Sequence, residues 1–307
     1  MCGILGVWGE SEEELIVRMS SAIGHRGPDG DGIERFGPDS RTSAPPVSLG
    51  HRRLSIIDLS DAGLQPMCNE DGNVWLTFNG EIYNFQDLRN QLVDAGHQFR
   101  SKTDSEVLVH AYEEWGIGFV ERLNGIFAFA IWDRLKGELH LARDRLGVKP
   151  LYYGRIGKRL LFASEIKALL QDTELVREVD ESALLAMANY RYCPEPLTLF
   201  KSVRKLRPGH VLSIRSDGSE AEREFYSVSF EEPTVDDDIA LCSSELLEKL
   251  REATSGQLMA DVEVGLFLSG GVDSSALLAL ADSERAEALK TFTIGFRQED
   301  QHERPTG

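Results

Sequence analysis

Over about its first 170 residues the chain alternates short apolar runs with turn signals, a pattern that short antiparallel strands satisfy and long helices do not. Residues 4–7, 74–78, 127–132, 138–142, 151–154 and 160–163 read as strands. Several are hairpin neighbours: RLKG separates FAFAIWD from ELHLARD, and RIGKR separates LYYG from LLFAS. Three stretches, 12–23, 84–95 and 104–115, carry apolar residues at helical spacing, as at Leu88, Leu92 and Ala95, with Asn84 and Asp104 expected as N-caps. Antiparallel sheets covered by helices define a layered α+β domain.

Composition bounds the partners. With 307 residues, 41% hydrophobic and 27% charged, the chain is long enough for two domains. A net charge of −18 repels polyphosphate backbones and anionic lipid, so neither nucleic acid nor a membrane is an expected partner. No run approaches the ~18 to 20 apolar residues of a membrane span, and MCGILGVWGESEEEL lacks the basic start and long apolar core of a signal peptide. The expected location is the cytoplasm. Cys2, Cys68, Cys193 and Cys242 are scattered without a CxxC pair, and no metal-ligand cluster is visible in the spacing.

Residues 194–233 change character, with PEP, RPGH, DG and EEP punctuating short strand-like pieces such as 210–215, and read as a connecting segment. Residues 237–259 then carry an apolar stripe at three- and four-residue steps and read as one helix. Beyond it VGLFL, SGGVDSS, SALLALAD and LKTFTIGF spell strand, loop, helix and strand, one βαβ unit of a parallel sheet.

Cys2 becomes the first residue if the initiator methionine is removed, and its thiol then shares a residue with a free α-amine. An α-amine with an ordinary pKa of about 7.7 to 8.0 exchanges protons with a thiol near neutrality, so one residue can be nucleophile and base. A thiolate attacking an amide needs donors for the oxyanion, and NGEIYN offers the Asn79 side chain beside the Gly80 N–H, just past the strand at 74–78. Arg53 in HRRLSIID could clamp an α-carboxylate, while Glu81 and Asp104 could hold an α-ammonium. Each also has an ordinary structural use: Asn-Gly as a plain turn, Arg53 in a surface ion pair, Glu81 solvated, Asp104 as a cap.

Taken in order, MCGILGVWG, GHRGPDGDG, HRRLSIIDL, FNGEIYNF, KTDSEVLVHAYEEWG, RLNGIFAFAIWD, ARDRLGVKPLYYG and FASEIKALL resemble the class II glutamine amidotransferases of the N-terminal nucleophile hydrolase type. The resemblance implies a four-layer αββα sandwich in which glutamine forms a γ-glutamyl thioester on Cys2, releases ammonia and is hydrolysed to glutamate. It implies that glutamine lies against Arg53, Leu54, Ser55, Ile56, Ile57, Asn79, Gly80, Glu81 and Asp104, with Cys2, Asn79 and Gly80 catalytic. His25 to Asp29 would belong to a mobile loop over the site.

SGGVDSS follows an apolar strand and opens a helix, the context in which backbone N–H groups approach phosphate, though without the GK[ST] of a Walker A loop. It resembles the pyrophosphate loop of the ATP pyrophosphatase family. That resemblance implies ATP held by Ser269, Gly270, Gly271, Val272, Asp273, Ser274 and Ser275, adenine between Leu268 and Ile294, and Mg2+ accompanying ATP, with no prosthetic group. A class II glutaminase followed by this loop is similar to the glutamine-hydrolysing asparagine synthase family. In that family ATP converts L-aspartate to β-aspartyl-AMP, and ammonia displaces AMP. Sugar-phosphate and phosphoribosyl amidotransferases lack such a loop, and β-lactam-forming relatives lack the N-terminal cysteine.

The expected domains are a glutaminase at 2–215, a linker at 216–235 and the start of an α/β synthetase domain at 236–307. Family members continue far beyond this loop, and the pattern fades after about Phe296, so a truncated or frameshifted reading frame is expected. One βαβ unit lacks neighbours at both edges and should be marginal unless another chain completes it. The alternatives are a stand-alone glutaminase and a non-catalytic remnant or assembly subunit; a homodimer is a further expectation.

Overall fold

The computed structural model describes residues 1–230, 238–283 and 288–295, which fall into two units, Met1–Ser229 and a second beginning at Phe230. The first unit begins β1 (Gly3–Trp8), α1 (Glu13–Ala22), β2 (Gly30–Phe36), β3 (Val47–Arg53), β4 (Met67–Cys68) and β5 (Val74–Ile82). It continues α2 (Phe85–Asp94), α3 (Asp104–Trp115), β6 (Gly125–Asp133), β7 (Glu138–Arg143), β8 (Tyr152–Ile156) and β9 (Arg159–Ala163). It ends with α4 (Ile166–Leu169), α5 (Glu181–Tyr190), β10 (Val203–Lys205), β11 (His210–Ile214) and β12 (Glu220–Glu224).

These strands form two six-stranded antiparallel sheets, ordered β10-β8-β9-β1-β3-β2 and β12-β11-β7-β6-β5-β4. The period-two side-chain alternation of a strand explains the layering. In β1, Ile4 and Trp8 enter the core between the sheets, whereas Leu5 and Val7 face the helical side with Leu15, Ile16 and Met19 of α1 and Leu169 of α4. Trp8 meets Trp132 of β6 edge-to-face across the inter-sheet core, at 5.6 Å and 82°. On the far side α3 packs on β5 and α2 on α3, which completes the expected αββα sandwich. Gly6 is required by this packing: a Cβ there would lie 2.3 Å from the Phe162 ring.

Several expectations need correction. The strand expected at 74–78 runs on to Ile82, so Asn79, Gly80 and Glu81 are strand residues paired with Ala128, Phe127 and Ile126 rather than a following loop. Thr103, not Asp104, caps α3, its hydroxyl accepting the Glu106 N–H at 3.2 Å. Asn84 stands at the start of α2 but uses its side chain on Arg122 O and the Asn124 N–H. Strands β2 and β3 escape sequence reading because GDGIERF and VSLGHRR mix glycine and charge into the pattern. The segment read as a connection at 194–233 supplies β10 to one sheet and β11 and β12 to the other. Edge strand β12 thus falls inside the expected linker 216–235, of which 231–235 lie outside the described residues.

The second unit contains α6 (Ile239–Gln257), β13 (Gly265–Phe267), α7 (Val272–Ser283) and β14 (Lys290–Phe292). Asp238 caps α6 by accepting the Ala240 N–H at 2.9 Å. β13 and β14 pair in parallel, with Leu266 opposite Thr291, so the expected βαβ unit forms. Apolar side chains around the strand pair stay wet: Phe267, Val272 and Ile294 are 83%, 85% and 82% exposed. The tail from Phe296, where the family pattern was expected to fade, lies outside the described residues. No helix among the described residues is long and apolar enough to cross a membrane.

Candidate active site

Cys2 sits at the head of β1, against the first residue after β3. Its Sγ accepts the Leu54 N–H at 3.4 Å and lies 3.5 Å from Leu54 O. Arg26 anchors the backbone here, donating from Nε to Cys2 O at 2.8 Å and from Nη1 to Glu165 Oε1 at 2.9 Å. Burial pushes the Cys2 thiol up, against the opposing pull of the Leu54 N–H and the chain's terminal ammonium. Burial likewise pushes the Met1 amine down, which favours its neutral form.

One cavity of about 100 Å³ opens beside this thiol. Every residue expected around glutamine lines it: Arg53 from the end of β3, Leu54, Ser55, Ile56 and Ile57 from the segment beyond, Asn79, Gly80 and Glu81 from β5, and Asp104 from the start of α3. Gly80 is flush against β6, where a Cβ would lie 2.3 Å from Ile126 O. The Asn79 side-chain nitrogen is buried and has no hydrogen-bond partner, a donor left open in the cavity wall.

Charges line the cavity in opposed sets. Arg53 is held by backbone carbonyls, Nη1 donating to Ser60 O at 2.7 Å and Nη2 to Asp58 O. It is therefore not the surface ion pair considered above. Asp104 is buried and accepts the Ile82 N–H at 2.9 Å, yet desolvation, with Glu81 adding to it, pushes its carboxyl up to about 6. Burial pushes Glu81 up as well. Two carboxylates that both resist ionisation in one cavity mark a place where a cation would be welcome.

The cavity also contains residues that sequence reasoning missed. Lys149 lines it, its ammonium pushed down by burial while Glu81 and Cys2 pull it up. Its backbone is set by Asp144, whose carboxylate accepts the N–H groups of Leu146, Val148 and Lys149 at 3.1, 2.9 and 2.9 Å. The DRLGVK pattern of an acid preceding a glycine turn was the available signal. His51 lies fully buried with Nε2 on Phe78 O at 3.0 Å, and burial pushes it down to about 4, so it stays neutral. Gln65 ties β5 to α3, its Oε1 accepting the Phe78 N–H at 2.7 Å and its Nε2 donating to Ser105 Oγ at 3.2 Å.

The segment expected as a mobile loop, His25 to Asp29, is fastened in this structure. Asp29 donates its N–H to Arg53 O at 3.0 Å and accepts the Ser55 N–H at 2.9 Å.

In the second unit, residues 268–271 join β13 to α7, turning at Gly270 with φ +79°, and Val272 to Ser275, expected in the loop, form the first turn of the helix. The loop is braced internally: Ser269 Oγ and Ser274 Oγ are 3.0 Å apart, and Ser275 Oγ donates to Gly271 O at 2.8 Å. Leu268 donates its N–H to Phe292 O at 2.9 Å and accepts from Thr293 Oγ1 at 2.8 Å, so Leu268 and Ile294 share the carboxyl end of the strand pair.

Comparison with known proteins agrees with this geometry. The family model "Glutamine amidotransferase domain" matches residues 1–226, and "Asparagine synthase" matches 245–306. Glutamine-hydrolysing asparagine synthetases 1 and 3 of Bacillus subtilis are each 38% identical, over 97% and 98% of this chain and 46% and 49% of their own length. The chain therefore spans about half the length of the curated relatives it matches. Among solved structures, the glutamine phosphoribosylpyrophosphate amidotransferase of B. subtilis aligns with a TM-score of 0.54 at 19% identity, over 98% of this chain and 70% of that one. At that identity the likeness shows the N-terminal nucleophile hydrolase fold alone. Motifs, layers and cavity converge, and the chain belongs to the glutamine amidotransferase family of enzymes, in the domain combination of the glutamine-hydrolysing asparagine synthetases.

Proposed function

We propose that this chain hydrolyses L-glutamine at Cys2 and that the ammonia serves ATP-dependent amidation of L-aspartate. The observation that carries the reading is one cavity joining the Cys2 thiol, the partnerless Asn79 Nδ2, Arg53 and the Glu81 and Asp104 carboxylates. With Met1 removed, the α-amine of Cys2 takes the thiol proton and the thiolate attacks the side-chain carbonyl carbon of glutamine. Asn79 Nδ2 and the Gly80 N–H receive the oxyanion. As the C–N bond breaks, the ammonium of Cys2 returns the proton to the leaving nitrogen, and water then hydrolyses the thioester to glutamate. Arg53 holds the α-carboxylate, Glu81 and Asp104 the α-ammonium, and Leu54, Ser55, Ile56 and Ile57 wall the substrate.

On this reading the first unit, Met1–Ser229, is the glutaminase, and residues 236–307 begin the synthetase. Ser269, Gly270, Gly271, Val272, Asp273, Ser274 and Ser275 surround the phosphates of Mg-ATP, with Leu268 and Ile294 beside adenine. The positive φ of Gly270 at the entry to α7 fits that use, because it turns the chain so that backbone N–H groups face an anion. ATP supplies the leaving group that makes the aspartate carboxyl reactive. The protein works in the cytoplasm, as a homodimer or with its synthetase half completed by another chain.

The exposure of Phe267, Val272 and Ile294 favours a second reading, a glutaminase without a productive ligase step. Incubation with glutamine, aspartate and Mg-ATP, quantifying glutamate and asparagine together, separates the two. Both products support the synthetase reading; glutamate alone, lost in Cys2→Ala, supports the second; glutamate that persists in Cys2→Ala overturns both.

A further inference from the structure

The outer helical layer holds a cluster that glutamine chemistry does not use. His97 follows α2 just past Gly96, whereas His110 and Glu113 lie one turn apart on α3, and the α2–α3 connection brings them together. One nitrogen of each ring and one Glu113 oxygen lie within 4.8 Å of one another. Glu113 Oε2 is 2.9 Å from His110 Nδ1 and 3.9 Å from His97 Nδ1. Ligand atoms about 2.0 to 2.1 Å from a tetrahedral zinc stand about 3.3 Å apart, so both distances depart from that spacing by roughly half an ångström.

The atoms facing away from this point are oriented too. His97 Nε2 lies 3.1 Å from Glu114 Oε2, Glu113 Oε1 accepts from Asn69 Nδ2 at 2.7 Å, and His110 Nε2 faces Glu106 Oε1 at 3.8 Å. Such outer partners fix tautomer and ring angle in metal sites, where a ligating histidine commonly gives its other N–H to a carboxylate. Phe99 packs edge-on against His110 at 4.6 Å and makes one side apolar. His110 is buried and Glu113 exposed, so an ion could enter from solvent and end on a fixed imidazole.

We propose that His97, His110 and Glu113 bind one divalent transition-metal ion, zinc by donor type, with water as fourth ligand. Two imidazoles and one carboxylate suit zinc better than magnesium or calcium, which favour all-oxygen shells. Glu106 and Glu114 add negative charge beside a dication. Bound there, the ion clips the end of α2 to α3 and steadies the segment leading to Asp104.

The test uses the full chain, stripped with chelator and carrying Cys2→Ser so that this thiol cannot capture metal. Cobalt(II) reports geometry through visible absorption, and zinc is titrated calorimetrically in excess magnesium. The expected result is one equivalent of zinc displacing one four-coordinate cobalt without thiolate charge-transfer bands. His97→Asn and Glu113→Gln should weaken zinc by at least about 100-fold, and Glu114→Gln by about tenfold. Both ligand positions reach solvent, and circular dichroism checks that the variants fold. Absence of saturable zinc binding by the parent, or equal affinity in folded His97→Asn and Glu113→Gln, overturns the proposal and leaves an ion-paired histidine cluster.

Discussion

Asp104 Oδ2 accepts the backbone N–H of Ile82 at 2.9 Å, which ties the first residue of α3 to the last residue of β5. The bond sets the Asp104 carboxyl beside Glu81, next along the strand, and makes the two acids one feature of the cavity wall. It also explains why Thr103 rather than Asp104 caps the helix, since the carboxylate already has a partner on another element.

Glutamine binding should depend on pH through Asp104. Its folded carboxyl is pushed up to about 6 from 3.8, so between those values the folded state holds a proton that the unfolded state has lost. Stability of the free protein therefore falls as pH rises from about 4 to 6, by about 3 kcal/mol if that shift acts alone. An α-ammonium bound to the ionised carboxyl reverses the sign. Glutamine affinity of Cys2→Ala, measured by calorimetry, should increase as pH rises through about 6, and Asp104→Asn should flatten that profile. A pH-independent affinity between pH 5 and 7 would count against Asp104 as the ammonium partner.

Asn79 and Arg53 should fail differently. The Asn79 amide is an open donor beside Cys2, so Asn79→Ala should lower kcat by about 100- to 1000-fold with little change in KM for glutamine. Arg53→Lys removes a planar fork and should raise KM by about 10- to 100-fold with a smaller effect on kcat. Steady-state glutamate release measures both, and interchanged effects would reverse the two roles.

Gly80→Ala should damage the fold as well as the site. The added Cβ would lie 2.3 Å from Ile126 O and 2.7 Å from Phe127 Cα, both backbone atoms of β6 that cannot swing aside. A loss of about 2 kcal/mol or more is expected in urea unfolding. Gly37→Ala is the control: no atom lies within 4 Å of its added Cβ, and the change should stay within about 0.5 kcal/mol.

The second unit should exchange amide hydrogens quickly in the isolated protein. Among its described residues only Leu280 and Ala281 count as buried hydrophobics, whereas β6 in the first unit has Phe127, Phe129 and Ile131 fully buried. Local opening tracks such differences in buried apolar contact. Protection at Leu266 to Leu268 should therefore be far weaker than at 127–131. Comparable protection would mean that a partner or another copy covers these strands.

Periodicity and turn residues were enough to read hairpins in the two sheets, the first three helices of the first unit and the βαβ unit, because each depends on neighbours within a few positions. Cys2, Arg53, Asn79, Glu81 and Asp104 were legible as candidates because their chemistry is local to the residue. Strands β2 and β3 were not legible, since GDGIERF and VSLGHRR are held by pairing with each other and with β1 rather than by an alternating pattern.

By itself the sequence determined the layered class and singled out Cys2 as the candidate nucleophile, both from residue type and short-range spacing. Only the tertiary structure decided that NGEI continues β5 against β6, that Lys149 and His51 reach the Cys2 cavity, and that His97 meets His110 and Glu113. The physical reason is common to these cases. Each depends on contacts between segments far apart in the chain, whose desolvation and hydrogen bonding no local pattern encodes.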